Sequence, residues 1–242
     1  MKVSVVLPVH SEGEVLREVV RQIQQALGNK LHEIIIVVSP SSPSYTMEIC
    51  RDLERSAKNV HVHQQVRNPG LGYAFREGFE HASGSHVLIM SSDGETPAEA
   101  IPKMVSKMEQ TNCDVVIASR WVDGGKFIGY DPIKYQLNKL FHYIFRMLYR
   151  TKVKDLTFGF KIMRTEIAKQ MAWESQFHDI CIETTVLPLK AGFHLEEVPV
   201  VWQKRTSGRS KNLFHRNFLY ATRALKVLFK KSGSLYKSIN EN

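Results

Sequence analysis

An α/β protein with a mostly parallel, mixed sheet flanked by helices is the fold this sequence predicts, on three observations. Short apolar runs alternate with helix-length amphipathic segments through the first half of the chain, which is the pattern of βαβ units. The apolar runs are continuous, as in strands buried on both faces. One of them, Val87-Leu88-Ile89-Met90, stops abruptly at Ser91-Ser92-Asp93-Gly94-Glu95 and so delivers acidic side chains to the end of a buried strand. In open α/β sheets ligands bind outside such carboxyl ends, and carboxylates there hold a divalent cation and, through it, a diphosphate.

The elements follow in order. Residues 3–9 read as the first strand, and a helix follows over 14–27 with Ser11 just ahead of it as N-cap. Apolar runs at 34–38, 60–63, 87–90 and 115–118 give further strands, with helical patterns over 45–56, 71–81 and 98–109 between them. Asn68-Pro69-Gly70 makes a turn. Beyond this point the pattern loosens. Residues 121–131 are glycine-rich and read as a loop. Residues 132–149 place Leu137, Leu140, Phe141, Ile144, Phe145 and Leu148 at helical spacing beside Lys134, Lys139, Arg146 and Arg150, a basic amphipathic helix. A helix over 182–191 and a strand over 195–201 come next. Residues 204–211, dense in Arg, Lys, Ser, Thr and Gly, read as a mobile loop that orders on an anionic ligand. A second basic amphipathic helix spans 212–229 and carries Leu213, Phe214, Phe218, Leu219, Leu225, Leu228 and Phe229.

Composition narrows the class. A chain of 242 residues, 43% hydrophobic and 24% charged, can bury a substantial core. No apolar run approaches the roughly 20 residues that span a bilayer. Met1 to Pro8 reads as a strand rather than a signal peptide. Cys50, Cys113 and Cys181 are odd in number and far apart, against a disulfide framework or a zinc site, and a reducing, cytosolic compartment fits. The net charge of +9 is concentrated late: from Lys204 onward only Glu241 opposes a series of lysines and arginines, a balance suited to phosphates. Charge alone would also suit nucleic acid. No stacking aromatics flank the basic loop and no nucleic-acid motif is present, so nucleic acid is not an expected partner.

Seven segments, in this order, resemble the family 2 glycosyltransferases and, within them, the dolichol-phosphate mannosyltransferase-like branch. They are Val6-Leu7-Pro8-Val9-His10-Ser11-Glu12, Arg67-Asn68-Pro69-Gly70-Leu71-Gly72, Ser91-Ser92-Asp93-Gly94-Glu95, Ala118-Ser119-Arg120, Asp155-Leu156-Thr157-Phe158-Gly159-Phe160, Val198-Pro199-Val200 and Arg205-Thr206-Ser207-Gly208-Arg209-Ser210-Lys211. The resemblance implies a GT-A fold, Rossmann-like, with residues 1–211 as the glycosyltransferase domain. Residues 1–120 would be its nucleotide-sugar half, 121–211 its acceptor half, and 212–242 a basic amphipathic helix and tail. It implies transfer of a sugar from a nucleoside-diphosphate sugar, GDP- or UDP-linked, to a polyprenyl phosphate or related lipid-phosphate acceptor, with inversion. Carried over by position, Pro8, His10, Glu12, Ser39, Ser91, Ser92, Asp93, Arg120, Arg205 and Lys211 would bind the nucleotide sugar. Asp93 and Arg120 would be catalytic, and Asp93 and Glu95 would hold Mg²⁺ or Mn²⁺. An acceptor that is already a phosphate is ionised at neutral pH and needs no dedicated base. The resemblance also implies a peripheral position on the cytosolic face of a membrane or against a membrane partner subunit.

The chain departs from the family pattern twice. Val37-Val38-Ser39-Pro40-Ser41-Ser42 stands where paired aspartates are usual, and Ser91-Ser92-Asp93 where Asp-x-Asp is usual. These changes motivate a second reading, a non-catalytic paralogue that keeps the nucleotide pocket for a regulatory or scaffold role. Plainer readings stand beside the sharper ones. Asp93 and Glu95 also fit a solvated turn, Glu12 a first-turn helix acid, and Glu183 a buried or capping acid as well as an acceptor contact. The apolar stripes of the two basic helices fit the protein's own core as well as a membrane.

Overall fold

The computed structural model describes residues 1–67, 70–203 and 216–237. Strands β1 (Val3–Val9), β2 (Leu31–Val38), β3 (Val60–Gln64), β4 (His86–Ile89) and β5 (Val115–Ser119) alternate with helices α1 (Val15–Leu27), α2 (Ser44–Ser56), α3 (Leu71–His81) and α4 (Ile101–Thr111). The βαβ expectation therefore holds through the first half. Ser11 does not cap α1; Glu14 occupies that position without a side-chain cap bond.

The second half adds β6 (Lys126–Ile128), α5 (Pro132–Tyr149), β7 (Lys161–Arg164), α6 (Thr165–Gln170), α7 (Ile180–Lys190), β8 (Leu195–Pro199), β9 (Val201–Gln203) and α8 (Arg216–Phe229). The segment 121–131, expected as a loop, contains β6, which pairs in parallel with β9 as a two-stranded sheet. The strand expected at 195–201 divides into β8 and β9 around Val200, because its two parts join different sheets.

The main sheet has seven strands in the order β3-β2-β1-β4-β7-β5-β8. All neighbours are parallel except β7, which runs antiparallel between β4 and β5. Two apolar layers sandwich the sheet. On one face Leu16, Val20 and Ile23 of α1 and Met104 of α4 pack on Ile34, Ile36, Leu88 and Val116. On the other, Phe75 and Phe79 of α3 and Ile182 and Val186 of α7 pack on Val6, Ile35, Val87 and Ile117. Burying a side chain of this size contributes about 1.5–3 kcal/mol, so these layers fix the strand ends in place. Because β1, β2, β4 and β5 point the same way, their carboxyl ends share one edge. The antiparallel β7 brings the residues just before it, Thr157 to Phe160, to that same edge.

The basic helices pack unlike ordinary core helices. Of the 18 residues of α5, only His142 and Phe145 are buried, while Ile133, Leu137, Leu140, Tyr143, Ile144, Met147 and Leu148 are exposed. Helix α8 buries Ala224 and Val227 but exposes Phe218, Leu225 and Phe229. The core reading of these stripes is thus overturned for most of their residues. Among the described residues no helix is long and apolar enough to cross a membrane.

Candidate active site

The sheet reverses its direction of growth at β1, which has β2 on one side and β4 on the other. A cleft of about 520 Å³ opens at that switch point. Its walls include Pro8 at the end of β1, His10 and Glu12 after it, Ser39 after β2, Ser91, Ser92 and Asp93 after β4, and Arg120 after β5. Eight of the residues expected to bind nucleotide sugar are therefore brought together. Glu95, although half-buried close by, does not line this cleft. Arg205 and Lys211 lie outside the described residues.

Several of these groups are spent on building the cleft. The Ser92 hydroxyl donates to the Pro8 carbonyl at 2.6 Å and so ties the end of β4 to that of β1. Glu12 accepts the backbone N–H groups of His10 at 2.6 Å and Ser11 at 2.9 Å through one oxygen, which fixes the turn into α1. Ser39 and Ser41 share a hydroxyl hydrogen bond of 3.0 Å where the family pattern places carboxylates. Asp93 Oδ1 accepts from the Ser91 hydroxyl and from the Glu95 N–H, so its carboxylate is oriented by the turn that follows β4. Asp93 is a turn residue that also lines the cleft.

Across the cleft stands a pair built on Asp155, which is fully buried. Arg120 donates to it through the backbone N–H, Nε and Nη2 at 3.0, 2.8 and 2.9 Å, and Nη2 also reaches Thr157 Oγ1 at 3.0 Å. Thr157 and Phe158 add their backbone N–H groups to Asp155. Burial by itself would raise the Asp155 carboxyl, but the Arg120 guanidinium beside it and the hydrogen bonds it donates hold it well below the ordinary 3.8. The Arg120 guanidinium also lies over the Phe158 ring at 4.4 Å and the Phe127 ring at 5.1 Å. Arg120 is thus a fixed cation, always charged.

A second cavity of about 330 Å³ runs between α5 and α8, lined by Lys134, Leu137, Phe141 and Phe218 among others. Arg120, Thr157 and Tyr220 line both cavities. No local pattern marks Tyr220 as a site residue; α8 brings it in from far along the chain. Gln65 and Phe177 also enter the cleft wall unannounced. Asp155 and Thr157 lay in a segment quoted for resemblance, yet their role depends on the turn before β7. Glu183 is buried, accepts the N–H groups of Glu174 and Ser175, and lies 3.5 Å from Arg223 of α8, so it holds the chain rather than an acceptor. Gly72, at the start of α3, sits so close to the Ser175 carbonyl oxygen that any Cβ would collide with it. Cys50, Cys113 and Cys181 are free and buried.

A Rossmann-like sheet with a cleft at its switch point is an α/β architecture that places a ligand against the ends of β1 and β4, and the comparisons with known proteins give its family. The chain belongs to glycosyl transferase family 2, whose profile matches residues 4–172. It is 31% identical over 214 residues to a dolichol-phosphate mannosyltransferase of Pyrococcus furiosus, covering 87% of this chain and 59% of that protein. The chain thus spans little more than half the length of that relative. It is 28% identical over 214 residues to a polyprenol monophosphomannose synthase of Mycolicibacterium smegmatis, covering 86% of this chain and 79% of that one. Glucosyl-3-phosphoglycerate synthase from Mycobacterium tuberculosis, solved with Mn²⁺, UDP and glucosyl-3-phosphoglycerate, superimposes with a TM-score of 0.69 at 18% identity, covering 96% of this chain and 82% of that one. At that identity the likeness establishes the fold alone.

Proposed function

We propose that this chain moves a sugar from a GDP- or UDP-linked donor in the cleft to a polyprenyl phosphate in the groove between α5 and α8. The observation that carries this reading is the wall shared by the two cavities, where one fixed cation, Arg120, faces both. The groove has the two characters such an acceptor needs: Arg120 and Lys134 for a phosphate, and Leu137, Phe141 and Phe218 for an isoprenoid chain. The relatives' names, which specify polyprenyl phosphates, support the same class.

The acceptor phosphate oxygen, already ionised, attacks the anomeric carbon in a single displacement. The bond to the donor diphosphate breaks with its electron pair going to the diphosphate, and the configuration inverts. Arg120 stabilises negative charge on the groups that meet at the shared wall.

Among the described residues no cluster of three or more His, Cys, Asp or Glu side chains is placed to hold a metal. A Mg²⁺ or Mn²⁺ ion needs less than that here, since such ions are commonly held by one or two carboxylates together with substrate phosphates and water. Asp93, oriented by Ser91 and lining the cleft, fits that role, with Glu95 adjacent to supply a second charge. When bound, the ion would neutralise charge on the departing diphosphate.

The exposed apolar stripes of α5 and α8, with Lys134, Lys139, Arg146 and Lys226 on the same helices, suit an anionic membrane surface, where the lipid acceptor resides. The free cysteines fit the cytosolic face.

The test is a thermal shift panel of GDP- and UDP-sugars with and without Mn²⁺, followed by transfer to a short-chain polyprenyl phosphate. Metal-dependent stabilisation by one nucleotide class and product formation with it are expected. Donor binding without any transfer would favour the non-catalytic reading that the serines at positions 39 and 91 motivate.

A further inference from the structure

We propose that His142 is a positioning residue for Arg120, through which the helix that lines the acceptor groove sets the geometry of the cation at the donor cleft. Helix α5 buries only two of its side chains, and His142 is one of them. A polar ring in such a place needs partners.

Its Nδ1 lies 2.8 Å from the Asn138 carbonyl oxygen. A carbonyl only accepts, so Nδ1 carries the hydrogen. Nε2, the acceptor nitrogen of that tautomer, faces the Thr157 hydroxyl at 3.5 Å, which can donate to it, and stands 3.4 Å from Asp155 Oδ1. Those two groups also hold Arg120 Nη2, at 2.9 and 3.0 Å. The imidazole therefore closes a ring of four side chains, Arg120, Asp155, His142 and Thr157. Trp121, with its ring centroid 5.3 Å away, and Phe141 at 5.8 Å confine the imidazole from the sides.

Asp155 does not need His142 for its own satisfaction. It already accepts three N–H groups of Arg120 and the backbone N–H groups of Thr157 and Phe158. The contacts from Nε2 are long for hydrogen bonds, so a small shift of α5 toward the sheet tightens them and a shift away breaks them. Lys134, Leu137, Asn138 and Phe141 of the same helix line the acceptor groove. Whatever fills that groove bears on α5 directly, and His142 is the point where α5 meets the Arg120 and Asp155 pair.

The kinetic consequence rests on the transferase reading above; the structural one does not. Two variants separate packing from polar contact. His142→Phe keeps an aromatic ring against Trp121 and Phe141 and removes both nitrogens, whereas His142→Gln keeps an amide oxygen able to accept from the Thr157 hydroxyl. In donor and acceptor titrations, His142→Phe is expected to lower kcat about tenfold with the KM for donor within about twofold, and His142→Gln to recover most of kcat. Independently of turnover, the Arg120 Nε–H resonance in ¹⁵N-labelled protein, assigned with Arg120→Lys, is expected to shift or exchange faster in His142→Phe and not in His142→Gln. Should the protein prove inactive towards every donor, that resonance decides the matter alone. An Arg120 resonance identical in parent and His142→Phe overturns the proposal, as does an equal loss of kcat in both variants.

Discussion

The guanidinium of Arg120 and the carboxylate of Asp155 meet side-on through two parallel hydrogen bonds of 2.8 and 2.9 Å, while the Arg120 backbone N–H reaches the same carboxylate at 3.0 Å. This joins the end of β5 to the turn before β7 and leaves the arginine only 10% exposed. Removing one member strands the other in a low-dielectric site. Asp155→Ala is expected to cost about 3–5 kcal/mol in urea unfolding. Because the folded Asp155 carboxyl is held below its ordinary 3.8, its contribution is complete above that value and fades as pH falls through the lower folded value. The parent should therefore lose more stability than Asp155→Ala between about pH 5 and pH 2, which a series of urea midpoints would measure.

Lys161 makes the opposite case. It is fully buried in β7, with Nζ donating to the Cys181 carbonyl at 2.5 Å and to Thr184 Oγ1 at 2.8 Å. Burial pulls its ammonium group down from 10.5 to about 8. Between those values the unfolded chain binds more protons than the folded one, so this group makes stability rise with pH across that window. Lys161→Met should flatten the rise, read as the difference in unfolding midpoint between about pH 7.5 and 10. An identical slope in parent and variant would refute the assignment.

Asp93 is the test of the donor site. Asp93→Ala should reduce turnover by at least about a hundredfold, with the fold intact by circular dichroism. Ser91→Asp, which restores a second carboxylate at the end of β4, should lower the Mn²⁺ concentration needed for half-maximal activity. Unchanged metal-dependent activity in Asp93→Ala would remove Asp93 from the site.

The outward stripe of α5 gives a test of membrane contact. Ile144 and Met147 are exposed, Met147 at 63%, so replacing both with Asp should leave the melting temperature alone. Binding to vesicles of anionic phospholipid, followed by co-sedimentation, should fall by about tenfold or more. Equal sedimentation of parent and variant would turn attention to a protein partner for this face.

Periodicity made the first half of the fold legible. Four buried strands, the edge strand β3 and the four intervening helices each carry their own apolar pattern, and a strand that stops at a polar turn announces where its end lies. Asp93 was readable for that reason, just beyond the end of β4; Pro8, Ser39 and Arg120 were named through the family resemblance alone, and the fold places each at or just beyond the end of a strand. The second half is less local. Strand β7 contains only Lys161-Ile162-Met163-Arg164, whose charged ends hide it from any hydropathy pattern, although one of those charges is buried and the other is half-buried.

The sequence by itself determined the βαβ framework, because burial on both sheet faces writes continuous apolar runs into the chain, and its motifs pointed to the family and to eight of the residues that line the cleft. Tertiary structure decided what no local pattern encodes. It inserted β7 backwards so that Asp155 could seize Arg120, turned the apolar stripe of α5 outward, and carried Tyr220 from α8 to the wall between two cavities. Periodicity records which face of an element is apolar; only the packing of distant segments determines what that face meets.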